Sequence, residues 1–332
     1  MPAASPSLEQ LEQLAAASQH ASAVERRRML VIVNPYATTV SDRLRNLVVY
    51  ALQGRYDVTA IDTESAGHAV ELCREAALEG YDVVVTFGGD GTVNEAANGL
   101  AGSPTPLCPL PGGNTNVFAR ILGIPNEIVD ATEHVLRMAD DWRPRMVDLP
   151  KVNDRLFTFS SGVGLDATVV RRVDARPHLK ARFGPWFFTS AAVGSFVKDY
   201  VVRPPQLEVV ADGGAAAITG VTAMVQNADP YTYFNGRPVH LAEGATLDSG
   251  TLSAVVLQRA TPIDVPTIAF RALAPKARIV DHRRVGHFEG VREVVVRSAD
   301  GRPVPLQVDG DHVGSVLEAR YTVAPGALAV VS

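Results

Sequence analysis

Apolar and polar positions alternate between two patterns through the first half of the chain. Met29 to Val33 is an unbroken apolar run that stops at the turn-forming pair Asn34-Pro35, which fits a strand buried on both faces of a parallel sheet. Ser41 to Leu52 carries apolar residues at helical spacing. Tyr56 to Thr63 predicts a second strand, and Ala66 to Glu79 a helix that Gly80 ends. A third strand starts at Tyr81 and runs into a glycine turn, with a helix over Val93 to Leu100. Pro106 to Pro111 is a fourth extended piece, and Asn116 to Leu122 a further helix. Strand and helix joined by short links predict a right-handed parallel α/β unit.

Trp142-Arg143-Pro144 ends this pattern. Beyond it come short β-rich stretches at 146–152, 155–164, 206–212, 215–228, 250–259, 291–298 and 304–314, separated by Gly, Pro, Asn and Asp. They predict a mainly antiparallel sandwich or barrel, interrupted by helices near Gly184 to Tyr200 and Pro262 to Leu273. The division is residues 1–27 as a tail or short helix, 28–146 as the α/β domain and 147–332 as the β-rich domain. No internal repeat is visible.

The composition permits a core in each half: 46% of the 332 residues are hydrophobic. Lys and Arg number 31 against 36 Asp and Glu, a net charge of −5. That balance argues against nucleic acid as a partner and against permanent attachment to anionic lipid through global charge, while a local basic patch stays open. The two cysteines, Cys73 and Cys108, share no metal-type spacing, and Cys73 sits in a helical pattern as a small apolar residue. The eight histidines show no HExxH or similar spacing. The N-terminus lacks the basic and apolar regions of a secretory signal, and no run approaches the ~20 apolar residues of a membrane span. A reducing cytoplasm is the expected compartment, with any membrane met from outside by transient association with its inner face.

The strongest chemical feature is TFGGDGTVNEAANGL, residues 86–100. A buried strand runs into Gly88-Gly89-Asp90-Gly91-Thr92 and a helix opens directly after. Glycines let the backbone approach a phosphate, and the N–H groups of a first helical turn favour an anion. Asp90 is suited to hold Mg²⁺, directly or through water, or to orient donors around a nucleotide. Thr92 is placed to act as N-cap and phosphate contact. LPGGNTNVFAR, residues 110–120, repeats the design with Gly112-Gly113 and Asn114-Thr115-Asn116. Two such turns at adjacent strand ends would face one crevice. Neither is a Walker A sequence or a GxGxxG fingerprint. Val308-Asp309-Gly310-Asp311 reads by itself either as a hairpin turn or as a carboxylate reaching a site.

Asn34-Pro35, Gly88 to Glu95, Pro111 to Arg120, Val147-Asp148, Gly162 to Asp166 and Val308 to Asp311 occur in the order found in the diacylglycerol kinase catalytic-domain family. The chain resembles that family, which includes soluble bacterial diacylglycerol kinases, related lipid kinases and sphingosine kinases, over roughly residues 29 to 330. The resemblance implies an ATP- and Mg²⁺-dependent lipid kinase, most readily one converting diacylglycerol to phosphatidic acid. It implies a doubly wound, Rossmann-like or NAD-kinase-like α/β nucleotide domain, an antiparallel β-sandwich domain for the lipid, and an active site in the cleft between them. It places Asn34, Thr63, Gly88, Gly89, Asp90, Gly91, Thr92, Asn94 and Asn114 at ATP, with Gly113 in the second turn. Asp148 matches a carboxylate acting at the active site, and Asp311 falls where the family has a Glu that takes the proton. With Asp90 these are the catalytic carboxylates.

Three departures stand out. Asn34-Pro35-Tyr36-Ala37-Thr38 replaces the family's NPxSG, Asp311 is one methylene shorter than Glu, and Ser249 stands where the family's structural Mg²⁺ has an Asp. Asp248 is the substitute metal ligand. For the lipid, Trp186, Phe187, Phe188 and Phe196 with Lys180, Arg182 and Lys198 fit either a membrane interface or the packing of a helix. Asp281-His282-Arg283-Arg284 with His287 fits a solvated loop or a headgroup contact. Arg26-Arg27-Arg28 fits a strand entrance or a headgroup contact. Asp174 and Asp212 read as surface.

Two other functions compete. The NAD kinases share GGDGT but take a water-soluble acceptor, and the PGGNTNVFAR turn favours the lipid-kinase version. A non-catalytic nucleotide- or lipid-binding regulator is the third reading. Sphingoid bases, ceramide-like lipids and polyprenols present the same primary hydroxyl as diacylglycerol. Exposed strands in the β-rich half make a homodimer reasonable.

Overall fold

The computed structural model describes residues 10–13, 26–174, 204–214, 217–261, 263–274 and 277–332. They form two compact units, one of residues up to Val147 together with Gly326–Ser332 and one of Asp148–Pro325. The sequence pattern predicts 147–332 as the second domain. Gly326–Ser332 instead joins the first, because the last strand ends beside a strand of that unit, Val330 pairing with Leu107.

In the first unit β1 (Arg28–Val33), β2 (Asp57–Asp62), β3 (Val83–Gly88) and β4 (Leu107–Pro111) lie in the order β2-β1-β3-β4, all parallel. Both faces of a central parallel strand are covered, so β3 and β4 are buried along their length and β1 from Met29 onward. The edge strand β2 is exposed or half-buried throughout. Helices α1 (Asp42–Gln53), α2 (His68–Leu78) and α3 (Asp90–Leu100) make the connections. Ser41 caps α1 by accepting the Leu44 N–H. Beyond β4 come α4 (Val117–Ile121) and α5 (Ile128–Met138). Helix α5 is not among the elements predicted above, although its buried Ile128, Ala131, Val135 and Leu136 keep helical spacing.

The Arg26-Arg27-Arg28 run makes bonds within this unit. Arg26 donates to the Gln53 carbonyl, and Arg27 donates to that of Ala139 while stacking over Trp142 at 4.5 Å. Arg28 stacks over Tyr81 at 4.4 Å and donates to the Glu79 carbonyl. These bonds favour the strand-entrance reading over a headgroup contact.

The second unit is built on antiparallel strands. β5 (Arg145–Val152) enters it and pairs with β6 (Arg155–Leu156), ahead of β7 (Ser160–Val163) and α6 (Leu165–Asp174). One sheet runs β14 (Val285–Val291), β13 (Leu252–Leu257), β10 (Thr222–Gln226), β7, β16 (Val304–Val308), β17 (Asp311–Val316). Facing it, β18 (Glu318–Val330), β15 (Glu293–Ser298), β8 (Leu207–Ala211) and β9 (Ile218–Gly220) pair in that order. Leu252, Ala254 and Val256 of β13 meet Val294 and Val296 of β15 and Ala319 and Tyr321 of β18 in one buried cluster. That shared core makes the unit a sandwich. The alternate residues Val255 and Leu257 face a second cluster, against which Ile268 and Ala272 of α7 (Asp264–Leu273) pack. A hairpin, β11 (Thr232–Phe234) and β12 (Arg237–Val239), completes the strands. The helix expected near Gly184 to Tyr200, with its aromatic cluster, lies outside the described residues, as does most of the N-terminal tail.

Candidate active site

All four parallel strands of the first unit deliver a candidate residue at the same edge. In register, Val33 of β1 lies beside Asp62 of β2 and Phe87 of β3, and Gly88 of β3 beside Pro111 of β4. Asn34, Thr63, Gly89 and Gly112-Gly113 therefore follow directly at the carboxyl ends, where open α/β sheets bind ligands. Asn34 N–H donates to the Phe87 carbonyl at 2.9 Å and Thr63 N–H to that of Val33 at 2.8 Å. The Asn34 side chain donates to Thr92 Oγ1 at 3.1 Å and accepts the Tyr36 N–H at 3.0 Å. The altered Asn34-Pro35-Tyr36-Ala37-Thr38 turn is thus tied to the GGDGT helix.

The two glycine turns touch backbone to backbone. Gly112 N–H donates to the Gly88 carbonyl at 2.8 Å. A Cβ on Gly112 would stand 2.9 Å from Gly88 Cα, and one on Gly113 2.8 Å from Gly89 Cα. A side chain at either position would push the turns apart. Gly89 is the N-cap of α3 with extended φ −93 and ψ −176, so the helix starts at Asp90. Thr92 is a residue of the first turn, buried, and not the N-cap expected from the sequence. A first turn leaves its N–H groups without intrahelical acceptors, and here those of Asp90, Gly91 and Thr92 lie at the sheet edge.

Asp90 links the turns. Its Oδ2 accepts the Thr115 hydroxyl at 3.1 Å and its Oδ1 the Phe118 N–H at 3.2 Å. The carboxylate therefore sets the spacing of the two loop-to-helix junctions. Asn116, at φ 48, closes the second turn: its Oδ1 accepts the Gly113 N–H at 2.8 Å and its Nδ2 donates to Asn126. Asn114 is exposed beside it. Asn94 is buried, and its side-chain oxygen accepts from Asn98 at 3.3 Å. Glu95 accepts the N–H groups of Gly67 and Ala69 and so caps α2, whose own Gly67 has no side chain to do it. The sequence gives no role to Glu95, whose partners Gly67 and Ala69 lie 28 and 26 residues away, and shows Asn116 only as a polar member of the second turn.

In the second unit Asp148 is 5% exposed. Its Oδ2 accepts the Gly250 N–H at 2.6 Å, its own N–H donates to the Leu247 carbonyl at 2.6 Å, and its carbonyl accepts from Asn227. Asp148 thus holds the Thr246 to Gly250 turn, the segment in which Asp248 was expected to bind metal. Asp248 is exposed and accepts the Thr246 hydroxyl at 2.7 Å. Ser249 Oγ donates to the Thr246 carbonyl and accepts the Thr251 N–H. Among the described residues no group of three His, Cys, Asp or Glu side chains could hold an ion. This donor set does not fit a structural Mg²⁺, since direct hydrogen bonds already close the turn.

Asp311 opens β17 and is exposed, whereas Asp309 before it is 5% exposed at φ 48. Asp309 Oδ2 accepts the N–H and hydroxyl of Thr158 at 2.7 and 2.8 Å, and Oδ1 accepts the N–H groups of Phe159 and Ser160. Four donors on one buried carboxylate anchor the β16–β17 turn, and with it the position of Asp311. The sequence signal for Asp309 was only its place before Gly310, where a left-handed residue is common.

A parallel α/β unit with paired glycine turns, followed by an antiparallel sandwich with an exposed carboxylate on an anchored turn, holds the group types that phosphoryl transfer asks for, N–H donors for an anion and a proton acceptor. Residues 28–143 match the family model "Diacylglycerol kinase catalytic domain", and 160–332 match "YegS C-terminal NAD kinase beta sandwich-like domain". The chain is 27% identical over 294 residues to the diacylglycerol kinase of Bacillus subtilis (strain 168), covering 87% of this chain and 91% of that protein. It is 26% identical over 301 residues to that of Staphylococcus aureus (strain bovine RF122 / ET3-1), covering 88% of each. The crystal structure of a diacylglycerol kinase from Bacillus anthracis str. Sterne superposes with a TM-score of 0.66 at 23% identity, over 93% of this chain and 97% of the other, a likeness of fold. This chain belongs to the bacterial diacylglycerol kinase catalytic-domain family, and it is a kinase, a phosphotransferase with an alcohol acceptor.

Proposed function

We propose that the chain transfers the γ-phosphoryl group of ATP to the primary hydroxyl of a membrane lipid, with diacylglycerol as acceptor and phosphatidic acid as product. The observation that carries this reading is the common edge at which Asn34, Thr63, Gly89 and Gly113 end four parallel strands, with the turns held together through Asp90. The names of the B. subtilis and S. aureus relatives support the choice of acceptor. On this reading the triphosphate lies against the N–H groups of the two turns. The acceptor oxygen bonds to the γ-phosphorus as the bond to the β–γ bridging oxygen breaks. ADP leaves with the electron pair, and the hydroxyl proton passes to the Asp311 carboxylate.

Mg²⁺ bound to the phosphates would spread their charge, and its ligands there are largely phosphate oxygens and water. The bonds of Asp148 to the 246–250 turn make it a positioning residue. The protein would act from the cytoplasm, associating transiently with the inner face of the membrane. Among the described residues no helix is long and apolar enough to cross one.

Transfer from radiolabelled ATP to diacylglycerol in mixed micelles tests the reading, with NAD as the alternative acceptor. Asp311→Ala is expected to lower kcat by at least ~10²-fold, the usual contribution of a general base, with an unchanged melting temperature. Undiminished transfer in that variant rejects Asp311 as the base, and transfer to NAD alone rejects the lipid.

A further inference from the structure

Helix α7 carries two stripes. Asp264, Ile268 and Ala272, four residues apart, line the inner side, Asp264 at 3% exposure and the other two packed against the core cluster of Val255 and Leu257. Ile263, Pro266, Phe270 and Leu273, spaced three, four and three apart, line another side. Ile263 is 80% exposed, Phe270 68% and Leu273 42%, and Pro266 is also exposed. A helix lying on a core ordinarily turns its charged and polar residues to water. This one turns its largest apolar side chains there.

Cations border the stripe. Phe270, Arg271, His282 and Arg283 help to line a depression of about 700 Å³. Arg283 donates to Asp264 Oδ1 at 3.1 Å, and Arg284 Nε stands 3.6 Å from Oδ2, so two guanidinium groups share one buried carboxylate. Arg271 donates to the Arg278 carbonyl at 3.1 Å, while Arg278 itself pairs with Glu243 and Glu289. Residues 259–284 hold six cations (Arg259, Arg271, Lys276, Arg278, Arg283, Arg284) against two acids (Asp264, Asp281), and with the Glu243 and Glu289 that pair with Arg278 the surplus is two, within a chain of net charge −5.

An exposed apolar stripe flanked by arginines matches the plane of an anionic bilayer, where apolar side chains enter the acyl boundary and guanidinium groups meet phosphates. A second copy fits less well, because a two-fold interface would set this cationic segment against itself. We propose that α7 and the adjoining 281–284 loop form the surface by which the second unit docks on an anionic lipid bilayer. The choice of a bilayer rests on the reading of the acceptor as a membrane lipid.

Co-sedimentation of the full chain with phosphatidylcholine vesicles, with and without phosphatidylglycerol, tests this. Binding is expected to the anionic vesicles and to weaken as salt rises. The double variant Ile263→Asp/Phe270→Asp should bind at least about tenfold more weakly, since both apolar anchors are replaced by anions. Its melting temperature and its phosphorylation of a short-chain, water-soluble diacylglycerol should be unchanged, because both positions are exposed. Wild-type binding by the double variant overturns the proposal. So does a wild-type chain that ignores vesicles and forms a dimer which Phe270→Asp disperses. A wild-type chain that phosphorylates no soluble diacylglycerol refutes the choice of acceptor instead, and vesicle binding still decides the docking surface.

Discussion

Replacing Gly89 by Ala separates a phosphate seat from a merely tight turn. At φ −93 and ψ −176 an alanine is unstrained, and its Cβ would meet only Gly113 Cα at 3.5 Å, an ordinary contact. The fold should accept it: Ala for Gly at an N-cap costs about 1 kcal/mol or less, a shift of ~2–4 °C in melting temperature for a chain of this domain size. The nucleotide should not. If a triphosphate uses this turn, its oxygens approach the first-turn N–H groups at ~2.9 Å, and a methyl that displaces them by ~1 Å costs about 10²-fold in rate. That is ~2.7 kcal/mol of transition-state stabilisation. Steady-state kinetics with ATP varied, beside thermal unfolding of the same preparation, reads both quantities. A stable Gly89→Ala enzyme with wild-type kcat/KM for ATP would refute the assignment of this turn to phosphate.

The neighbouring residues should behave differently. Gly113→Ala forces backbone apart at 2.8 Å and should lower stability by ~1–3 kcal/mol, visible as a reduced denaturant midpoint; an unshifted midpoint would show that the turns are not in contact. Asp309→Ala strips a buried turn of a four-fold acceptor and should cost ~3 kcal/mol or more, whereas Asp311→Ala should leave the midpoint alone; equal effects would contradict the division of labour between them. Chelation by EDTA without nucleotide should leave the melting temperature unchanged, and a marked fall would reveal a structural cation in the second unit. Burial, joined at Cys73 by the nearby Glu95 carboxylate, pushes both thiols up to about 12. Their contribution to stability is whole below the unfolded value of 9.0 and is lost as pH rises toward about 12, by up to ~1.4 kcal/mol per pH unit for each. Aromatic disulfide reagents should accordingly label neither at pH 8 until the chain unfolds, and prompt labelling of the native protein would contradict their burial.

Legibility in the sequence followed the range of the interactions. β1 and β3 were visible because burial on both faces forces a continuous apolar run, and the glycine turns because a close backbone approach excludes side chains. Ser41 was visible as a helix start because its bond to Leu44 is local. The helix boundary at Asp90 was not: whether Gly89 takes extended angles depends on Gly113 packing behind it, far along the chain. Asp90 was legible as a polar group at the turn, suited to Mg²⁺ or to orienting donors, but its bonds to Thr115 and Phe118 were not, because they depend on where β4 delivers the second turn. Asp309 was hidden for the same reason, its donors lying about 150 residues upstream at Thr158 to Ser160. The return of Gly326–Ser332 to the first unit follows from one parallel pairing, Val330 with Leu107, that no local pattern announces.

A crystal structure of the protein with a non-hydrolysable ATP analogue and Mg²⁺ bears most directly on the central claim, that paired glycine turns seat a triphosphate for transfer assisted by Asp311. Phosphate oxygens are expected within ~3 Å of backbone N–H groups between Gly89 and Thr92, with the Asp311 carboxylate facing the γ-phosphate. A nucleotide bound away from both turns, or an Asp311 side chain directed to a different surface, would contradict it.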